Sequence, residues 1–409
     1  MLKTEFYEIL ANLENSGIEF KRDNLKPEQL AKEIVALSNF NGGKIFIGVE
    51  DDGTITGIQR GNLQEWVMNV FRDKVHPMII PFYEEVEVES KKRVAVISFP
   101  QGIAKPYVVK HNGREDVYIR LGSRSELATR EQQARLYSIG GLLHTETMPV
   151  SGSSLHSLDR QRIDDYLSNI MGNEGKGSNE SDLIRRLCNL GLMIETDPNH
   201  MCCTIAGLIL FGLRPKTLIR YAGLRVTVYK GTDKEYETIL DKTIDECFIG
   251  QWNFVSGLRE LIRSGIIELF METIEPFITI EQMTNSVRRE KKNKYPIEAI
   301  REVIVNAIVH RDWTRSVDIE VALYSDRMEI ISPGALQNSM TVEKMKAGQR
   351  SHRNPILVEI ARDYGYMEAR GMGIRKKVLP LIRTYSGKDP LIEETDDYVK
   401  ITLFPAKYS

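Results

Sequence analysis

The chain contains few cysteines, and their spacing indicates neither a zinc site nor a disulfide framework. The 409 residues include Cys188, Cys202, Cys203 and Cys247, with no C-x-x-C pair and no histidine at zinc-finger spacing. Such a set is typical of buried thiols in a reducing compartment. We therefore expect neither zinc nor disulfide bonds to organise the fold.

A long apolar run is also missing. The first ten residues include Lys3, Glu5 and Glu8 instead of an apolar signal core, and no stretch approaches the length of a membrane span. These features predict a cytoplasmic protein without a membrane partner.

An excess of charge of one sign is missing as well. Lys and Arg total 55 and Asp and Glu total 57, which leaves a net charge of −2. Because the chain has no overall basic field, any contact with nucleic acid must use local patches. The length, with 42% hydrophobic and 27% charged residues, is ordinary for a globular protein of about two or three domains.

The stretch from Pro296 to Asp312 predicts an apolar helix with a polar edge. Pro296 suits a first turn, where no backbone donor is lost, and Glu298 lies where the helix dipole favours an anion. One stripe at helical spacing is apolar and predicts a buried face: Ile300, Val303, Ile304, Ala307 and Ile308. A second stripe at four-residue steps is polar: Glu302, Asn306 and His310.

The polar edge has a chemical use beside a nucleotide. An asparagine carbonyl can complete the shell of a magnesium ion held by phosphates, and a glutamate one turn earlier can orient or deprotonate water. The alternative is a solvated edge on an ordinary amphipathic helix.

An ordered series of elements follows this helix. Two short strands end at Ser332-Pro333-Gly334, and a polar, lid-like run ends at Arg353-Asn354-Pro355. After a helix from Ile356 to Tyr364, the segment Arg370–Ile374 opens another helix, which carries three basic residues: Arg375, Lys376 and Lys377. Glycines before a helix let backbone amides approach phosphate oxygens.

From about residue 290 to its end, the chain resembles the ATP-binding domain of the GHKL class (gyrase, Hsp90, histidine kinase, MutL), in the form found at the C-terminus of transcriptional regulators. The resemblance implies a Bergerat-type α/β sandwich that binds ATP and Mg²⁺, a weak ATPase with Glu302 as base, and Asn306 as magnesium ligand. It implies further nucleotide contacts from His310, Asp312, Pro333, Gly334, Arg370, Gly371 and Gly373. Ser332-Pro333-Gly334 stands where most GHKL domains read adenine with an Asp-x-Gly-x-Gly box.

A second motif series occupies the N-terminal part. A helix from Pro27 to Asn39 precedes a glycine turn and the strand Lys44 to Val49, and Asp51-Asp52-Gly53 predicts a hairpin turn. With Glu19-Phe20-Lys21, Lys105-Pro106-Tyr107 and Tyr118–Ser123, the series resembles the Schlafen AlbA_2 module, which is associated with nucleic-acid binding, over roughly residues 1 to 140.

The AlbA_2 resemblance leaves two readings of the acidic residues open. In Schlafen proteins that cut RNA a carboxylate triad comes from these positions, and here Glu14, Glu19 and either Glu50 or Asp51 could bind Mn²⁺ and activate water. Alternatively, Asp51 and Asp52 serve the turn, Glu19 pairs with Lys21 or a neighbour, and Glu14 is solvated.

Basic and aromatic residues of the same region are candidate nucleic-acid contacts. The candidates for phosphate contact are Lys21, Lys105, Arg120, Arg124 and Arg130. Tyr107 and Tyr118 could stack on bases, but aromatic residues on alternating strand positions are more often core.

We therefore predict a multidomain protein of α/β and α+β class. Residues 1–145 form an AlbA_2-like module, 155–285 an α-rich connector that could support oligomerisation, and 290–409 a GHKL-like domain. Thr129 caps a helix to Ile139, and the connector contains a long helix from Trp252 to Glu272. The run Arg288–Lys294 is interpreted as a solvated linker.

Three functions agree with these features. The main hypothesis is a nucleotide-responsive protein that binds DNA or RNA, as a transcriptional regulator or in antiviral defence against mobile elements. GHKL relatives often pair, so a homodimer is expected. The second is a metal-dependent endoribonuclease acting on tRNA or other RNA, regulated by the GHKL module. The third is a non-catalytic scaffold with a degenerate nucleotide pocket.

Overall fold

The chain divides into two compact units, Met1–Leu143 and His144–Ser409. They are seen in a computed structural model. It describes residues 1–88, 92–102, 104–111, 113–140, 144–172, 179–197, 200–255, 258–283, 289–337, 340–349, 351–367 and 372–406. Within these ranges, the helices are all too short or too polar to cross a membrane.

The N-terminal unit is a mixed α/β fold. Its helices are α1 (Lys3–Asn12), α2 (Pro27–Asn39), α3 (Leu63–Lys74) and α4 (Arg130–Ile139). Its strands are β1 (Ile18–Lys21), β2 (Gly42–Ile47), β3 (Val75–His76), β4 (Phe82–Glu87), β5 (Arg93–Pro100), β6 (Val108–His111), β7 (Arg114–Asp116), β8 (Tyr118–Leu121) and β9 (Arg124–Leu127). The largest sheet has the order β1-β2-β5-β4, with β1 parallel to β2.

Helix α2 and the turn after it follow the local sequence rules. Pro27 opens the helix, and Leu30, Ile34 and Leu37 are fully buried, as their spacing predicts. Gly42 has a φ of +77°, and a Cβ atom there would lie 2.6 Å from the carbonyl oxygen of Phe99. Only glycine therefore allows this turn to pass so close to β5.

Two further predictions in this unit can be checked. The hydroxyl of Thr129 accepts a hydrogen bond from the Gln132 amide, which confirms the predicted cap of α4. Asp52 Oδ1 accepts from the amide of Thr54 at 2.8 Å, as a turn residue does. The predicted second strand of that hairpin is reduced to a single bridge between Val49 and Ile55.

The C-terminal unit combines helices with a large sheet. Its helices are α5 (Arg160–Asp165), α6 (Glu180–Asn189), α7 (Ile205–Phe211), α8 (Pro215–Leu218), α9 (Ile266–Ile278), α10 (Ile297–Val309), α11 (Val342–Lys346), α12 (Pro355–Asp363) and α13 (Leu379–Ser386), with π-helical turns at Tyr166–Ile170 and Ile374–Val378 and 3₁₀ turns at Thr145–Thr147 and Leu155–Ser157. Its strands are β10 (Met193–Asp197), β11 (His200–Cys203), β12 (Leu224–Tyr229), β13 (Thr238–Ile244), β14 (Gln251–Val255), β15 (Leu258–Arg263), β16 (Thr279–Met283), β17 (Arg289–Asn293), β18 (Ile319–Leu323), β19 (Met328–Pro333), β20 (Leu391–Glu394) and β21 (Tyr398–Leu403).

Six of these strands form one sheet, in the order β13-β12-β18-β19-β21-β20. Strands β12 and β18 are parallel, and the other pairs are antiparallel. Helix α10 packs against β19 through its predicted apolar stripe, whose members Ile300 and Val303 are buried with Ile330 and Ile401 in one core. The sheet therefore takes strands from both sides of the predicted boundary at residues 285–290.

The structure corrects two predictions in the middle of the chain. The predicted helix from Trp252 to Glu272 is wrong, because β14 and β15 form a hairpin there and α9 begins only at Ile266. Gly265 directly precedes α9, and glycine weakens a helix interior. Arg289–Asn293 in the charge run is strand β17, paired with β16, and not a linker.

The cysteines behave as structural thiols. Cys202, Cys203 and Cys247 are buried, Cys188 is half-buried, and all four are unpaired with one another. Burial is the main reason why the pKa of Cys203 rises to about 12. Such a thiol stays protonated and is a poor nucleophile at neutral pH.

Candidate nucleotide-binding site

A deep cleft lies between helix α10 and the face of strands β19 and β21 in the C-terminal unit. Its empty space, counted together with the open solvent at its mouth, is about 1120 Å³. Five of the predicted nucleotide-site residues line it together: Glu302, Asn306, His310, Gly334 and Gly373. Arg370 and Gly371 lie outside the described residues.

Asn306 and Glu302 are joined at one end of this cleft. The Asn306 amide nitrogen donates to the Glu302 backbone carbonyl at 2.6 Å and to Glu302 Oε1 at 3.0 Å. Because the nitrogen is engaged on Glu302, Oδ1 is the atom of Asn306 that can accept a ligand. Lys377 Nζ lies 3.8 Å from Glu302 Oε2 and adds a positive charge. An amide oxygen can ligate a magnesium ion, a carboxylate can orient water, and an ammonium can pair with a phosphate.

Gly373 brings the main chain against the Glu302 carboxylate. A Cβ atom at this position would lie 1.7 Å from Glu302 Oε1, so a larger residue would push the carboxylate aside. Gly373 directly precedes the π-helical turn Ile374–Val378, and Gly373 and Ile374 both line the cleft. Helix α10 and the segment that begins at Gly373, the two predicted phosphate-binding segments, therefore face each other. Their groups, from Glu302, Asn306 and Lys377, fit a nucleotide with magnesium.

The opposite end of the cleft is shaped by Gly334 and the residues behind it. Gly334 has a φ of +105°, and a Cβ atom there would lie 2.4 Å from Cβ of Asp312 and 2.5 Å from Nη1 of Arg353. Asp312 is buried, and its Oδ1 accepts from the amide and the hydroxyl of Thr314. Its own amide donates to the Pro333 carbonyl at 2.9 Å. Asp312 and Pro333 thus lie behind Gly334 and are not among the residues that line the cleft.

Ser332 stands in place of the usual adenine-reading aspartate. Its hydroxyl donates to the Ala307 carbonyl at 2.8 Å, so only its lone pairs remain for a ligand. A base amine could therefore donate to Ser332 Oγ, although a hydroxyl is a weaker acceptor than a carboxylate.

His310 contributes a neutral ring at the same end. It stacks on His352 with ring centroids 5.8 Å apart. Burial, followed by the nearby His352, Arg353 and Arg362, lowers the pKa of His310 to about 3. The imidazole is thus uncharged near neutral pH. The sheet face beside it is apolar, with Ile330, Val399 and Ile401 placed to receive a flat ring.

Arg353 is a lining residue whose role was missed from sequence. It is buried, and its Nη2 donates to the Ala335 carbonyl at 2.9 Å. Its Nη1 lies 3.8 Å from Asp312 Oδ2. The Arg-Asn-Pro triplet marked only the end of the lid-like run, and no local pattern shows that its arginine turns back into the cleft.

The N-terminal carboxylates are engaged by protein groups. Glu19 is buried and forms ion pairs with Lys21 and with Arg120, the latter at 2.6 Å. Glu14 Oε1 accepts from the Phe20 amide at 2.8 Å, and desolvation raises the pKa of Glu14.

Glu50 pairs with Arg22, and Asp51 is exposed. In the described ranges, three or more His, Cys, Asp or Glu side chains nowhere come together as a metal site. The predicted Mn²⁺ set is therefore not assembled in this conformation.

Two predicted phosphate contacts are buried. Lys105 donates to the Phe40 carbonyl at 2.7 Å. Arg120 contacts Glu19 and Glu33 and donates to the carbonyls of Asn15 and Ile18. Both cations hold the unit together and do not reach its surface.

Other candidates for nucleic-acid contact remain accessible. Arg124 and Arg130 are exposed, and Lys21 is half-buried. Tyr107 is buried and Tyr118 half-buried among apolar residues, which confirms that they belong to the core.

Two family models match parts of the chain, one in each unit. Residues 14–129 match the model described as "Schlafen, AlbA_2". Residues 317–403 match the model described as "Putative ATP-dependent DNA helicase recG C-terminal", a HATPase type. The chain contains an AlbA_2 module and a HATPase module. None of the curated proteins compared with the chain matches it.

Two solved structures similar to the chain are distant in sequence. The DIP2311 protein from Corynebacterium diphtheriae is 17% identical, and the match covers 99% of this chain and 80% of that one with a TM-score of 0.45. The N-terminal domain of a "Putative ATP-dependent DNA Helicase RecG-related Protein" from Nitrosomonas europaea is 20% identical, and the match covers 31% of this chain and 92% of that one with a TM-score of 0.25.

The HATPase match begins after helix α10. Glu302, Asn306 and His310 therefore precede the matched residues, although they form one wall of the cleft whose other wall lies within the match. The cleft is therefore built both from residues that precede the matched region and from residues within it.

Proposed function

We propose that this chain is a nucleotide-responsive nucleic-acid-binding protein whose HATPase module binds ATP with magnesium. One observation carries the proposal: Gly373 lies against Glu302, beside Asn306, at the polar end of a cleft with an apolar sheet face. A triphosphate would lie at the polar end and the base against Ile330 and Ile401.

Each group at the polar end has a distinct task in this proposal. Asn306 Oδ1 would complete the magnesium shell, and Lys377 would offset phosphate charge. A bound magnesium ion would neutralise developing charge on the phosphates. Glu302 would orient water, but it is held by Asn306 and lies near Lys377, so we expect slow hydrolysis at most.

The AlbA_2 module would supply contacts to DNA or RNA through its exposed cations, Arg124 and Arg130. Nucleotide would act through the lid segment at residues 335–352, whose helix α11 carries Met345 into the cleft. A ligand shifts such an equilibrium only if it binds the two lid states unequally. Transcriptional control and defence against mobile elements could both use this switch, and a homodimer is the expected assembly.

Calorimetry with ATP and ADP, each with and without magnesium, tests the nucleotide part of the proposal. Asn306→Ala should weaken binding with magnesium on the order of 10- to 100-fold and change binding without magnesium little. Glu302→Ala should retain binding and lose any hydrolysis. Asn12→Ala is a matched control, because Asn12 makes the same side-chain bond to a carbonyl four residues earlier.

Two outcomes would contradict the proposal. Wild-type protein that binds neither nucleotide would leave a scaffold with a degenerate pocket. Equal effects of Asn306→Ala with and without magnesium would remove the assigned metal contact.

A further inference from the structure

A strongly basic segment follows the nucleotide cleft, and Lys377 is the one of its cations that has a role in the function proposed above. Residues 372–388 contain no Asp or Glu and five basic residues: Arg375, Lys376, Lys377, Arg383 and Lys388. All of them except Lys377 are exposed. Since the whole chain carries a net charge of −2, this segment is a local patch of the kind that contact with a polyanion requires.

The patch borders a groove of about 840 Å³ on the HATPase module. Three cations line the groove: Lys346 at the end of α11, Arg375, and Arg383 on α13. Asp389, the one acidic residue that lines the groove in the described ranges, is paired with Arg383 at 3.2 Å. Lys346 makes no ion pair within the part of the chain that the structure describes.

We propose that this groove binds the phosphate backbone of a nucleic acid, as a contact surface additional to the AlbA_2 module. Arg375 and Arg383 are eight residues apart on consecutive helical segments, which corresponds to roughly 12 Å along the axis. A single phosphate group cannot bridge that distance, whereas successive phosphates of a strand can. Cations spread along an open groove bind a backbone without reading its sequence.

The groove and the nucleotide cleft are lined by neighbouring residues of the same two segments. Met345 lines the cleft and the next residue, Lys346, lines the groove. Arg375 donates to the Ala347 carbonyl at 2.9 Å, which joins the basic segment to the end of the lid helix. Gly373 and Ile374, just before Arg375, line the cleft. A lid that closes on nucleotide would therefore move one wall of the groove.

Fluorescence anisotropy of the full chain with a labelled oligo(dT) of about 30 nucleotides, without nucleotide and from about 50 to 200 mM salt, tests the groove. The double variant Lys346→Glu with Arg383→Glu should bind on the order of tenfold more weakly. It should also reduce the slope of log affinity against log salt by about 1.4, because two single-strand phosphate contacts are lost.

A control variant changes the same charge elsewhere on the same unit. Arg185 and Lys230 are exposed and each pairs with a nearby acid, as Arg383 does. Arg185→Glu with Lys230→Glu should leave the salt slope unchanged. Lys376→Glu, at another exposed cation of the patch, should give a smaller loss in the same direction.

Three results would overturn the proposal that the groove binds nucleic acid. They are no binding of oligo(dT) by the wild type, an unchanged salt slope in the groove variant, or an equal change of the salt slope in the control variant. Binding of polyglutamate in place of oligo(dT) would reassign the groove to an acidic protein partner and would likewise overturn it.

The coupling to nucleotide rests on the proposed function, whereas the groove itself does not. Adding ATP and magnesium should change the affinity of the wild type for oligo(dT) and leave that of Asn306→Ala unchanged. If calorimetry shows no nucleotide binding, the proposed function fails and the groove stands. If the nucleotide binds without altering the salt slope or the affinity, the coupling fails.

Discussion

Two glycines of the cleft are required for different reasons, and single substitutions at Gly373 and Gly334 test these reasons. Gly373 has ordinary backbone angles, and its added Cβ would meet the end of the Glu302 side chain. Gly334 has a φ of +105°, and its added Cβ would meet Asp312 and Arg353. The first position is constrained by the site and the second by the fold.

Gly373→Ala should displace the Glu302 carboxylate and leave the fold intact. We expect the melting temperature to change little, since the contacted atom belongs to a side chain that can rotate. Nucleotide affinity measured by calorimetry should fall severalfold, because the displaced carboxylate keeps its negative charge and moves towards the proposed phosphate position, whereas Glu302→Ala removes that charge and retains binding. Gly61→Ala is the control, because a Cβ atom there meets nothing within 4 Å. Unchanged affinity in Gly373→Ala would show that the Glu302 carboxylate does not lie beside the bound phosphates.

Gly334→Ala should destabilise the C-terminal unit by about 1–3 kcal/mol, because alanine rarely adopts a positive φ and its Cβ meets buried atoms. Denaturant unfolding followed by circular dichroism measures this difference. Equal stability of wild type and variant would mean that the segment relaxes around the new side chain.

Arg120 should matter to stability more than to nucleic-acid binding. Arg120→Ala would leave the buried carboxylates of Glu19 and Glu33 without their shared cation, at a cost of about 3–5 kcal/mol. Desolvation already raises the pKa of Glu33. Arg124→Ala, at an exposed arginine nearby in sequence, should change the free energy of unfolding little. A folded Arg120→Ala protein that has lost only nucleic-acid affinity would restore Arg120 as a phosphate contact.

At the scale of elements, helix α12 depends on a residue far away in sequence. The carboxylate of Glu146 accepts from the backbone amides of Ile356 and Leu357, at 2.9 and 3.0 Å. Asn354, which local rules would make the cap, instead donates to the carbonyls of Val309 and Arg311. It thereby ties the start of α12 to the end of α10.

Glu146 should give the C-terminal unit a pH-dependent stability. Burial raises its pKa from 4.5 to about 7, against the opposing effect of the two amides. Between these values the folded state holds a proton that the unfolded state releases. This contribution is therefore complete below about pH 4.5 and is lost as the pH rises through about 7.

The test is to compare wild type and Glu146→Gln in denaturant at several pH values. The wild type should lose about 1–3 kcal/mol more than the variant between pH 5 and 7.5, since all other groups titrate in both. Glu180→Gln, an exposed residue in the first turn of α6, is the control. Parallel curves for wild type and Glu146→Gln would contradict the assigned pKa.

At the scale of the whole molecule, the two units have separate apolar cores. We expect two heat-absorption transitions in calorimetric unfolding. ATP with magnesium at about 100 times its dissociation constant should stabilise the unit 144–409 by about 2.7 kcal/mol. Arg120→Ala should lower the other transition and so identify it. If nucleotide raised the temperatures of both transitions, its binding would stabilise the N-terminal unit as well as the HATPase module.

The sequence by itself determined the features that depend on neighbouring residues. Proline at the start and apolar residues at helical spacing were enough to predict α2 and α10. The same spacing predicted that Glu302, Asn306 and His310 share one edge. The ordered motifs at each end also identified both modules.

Only the tertiary structure decided which distant groups meet. It buried Lys105 and Arg120 inside the N-terminal unit, brought Arg353 into the cleft and placed Glu146 at the start of α12. It also added β12 and β13 to the sheet of the HATPase module. Such contacts join positions tens to hundreds of residues apart, and burial changes what a charged side chain can do, so the local pattern of residues does not contain them.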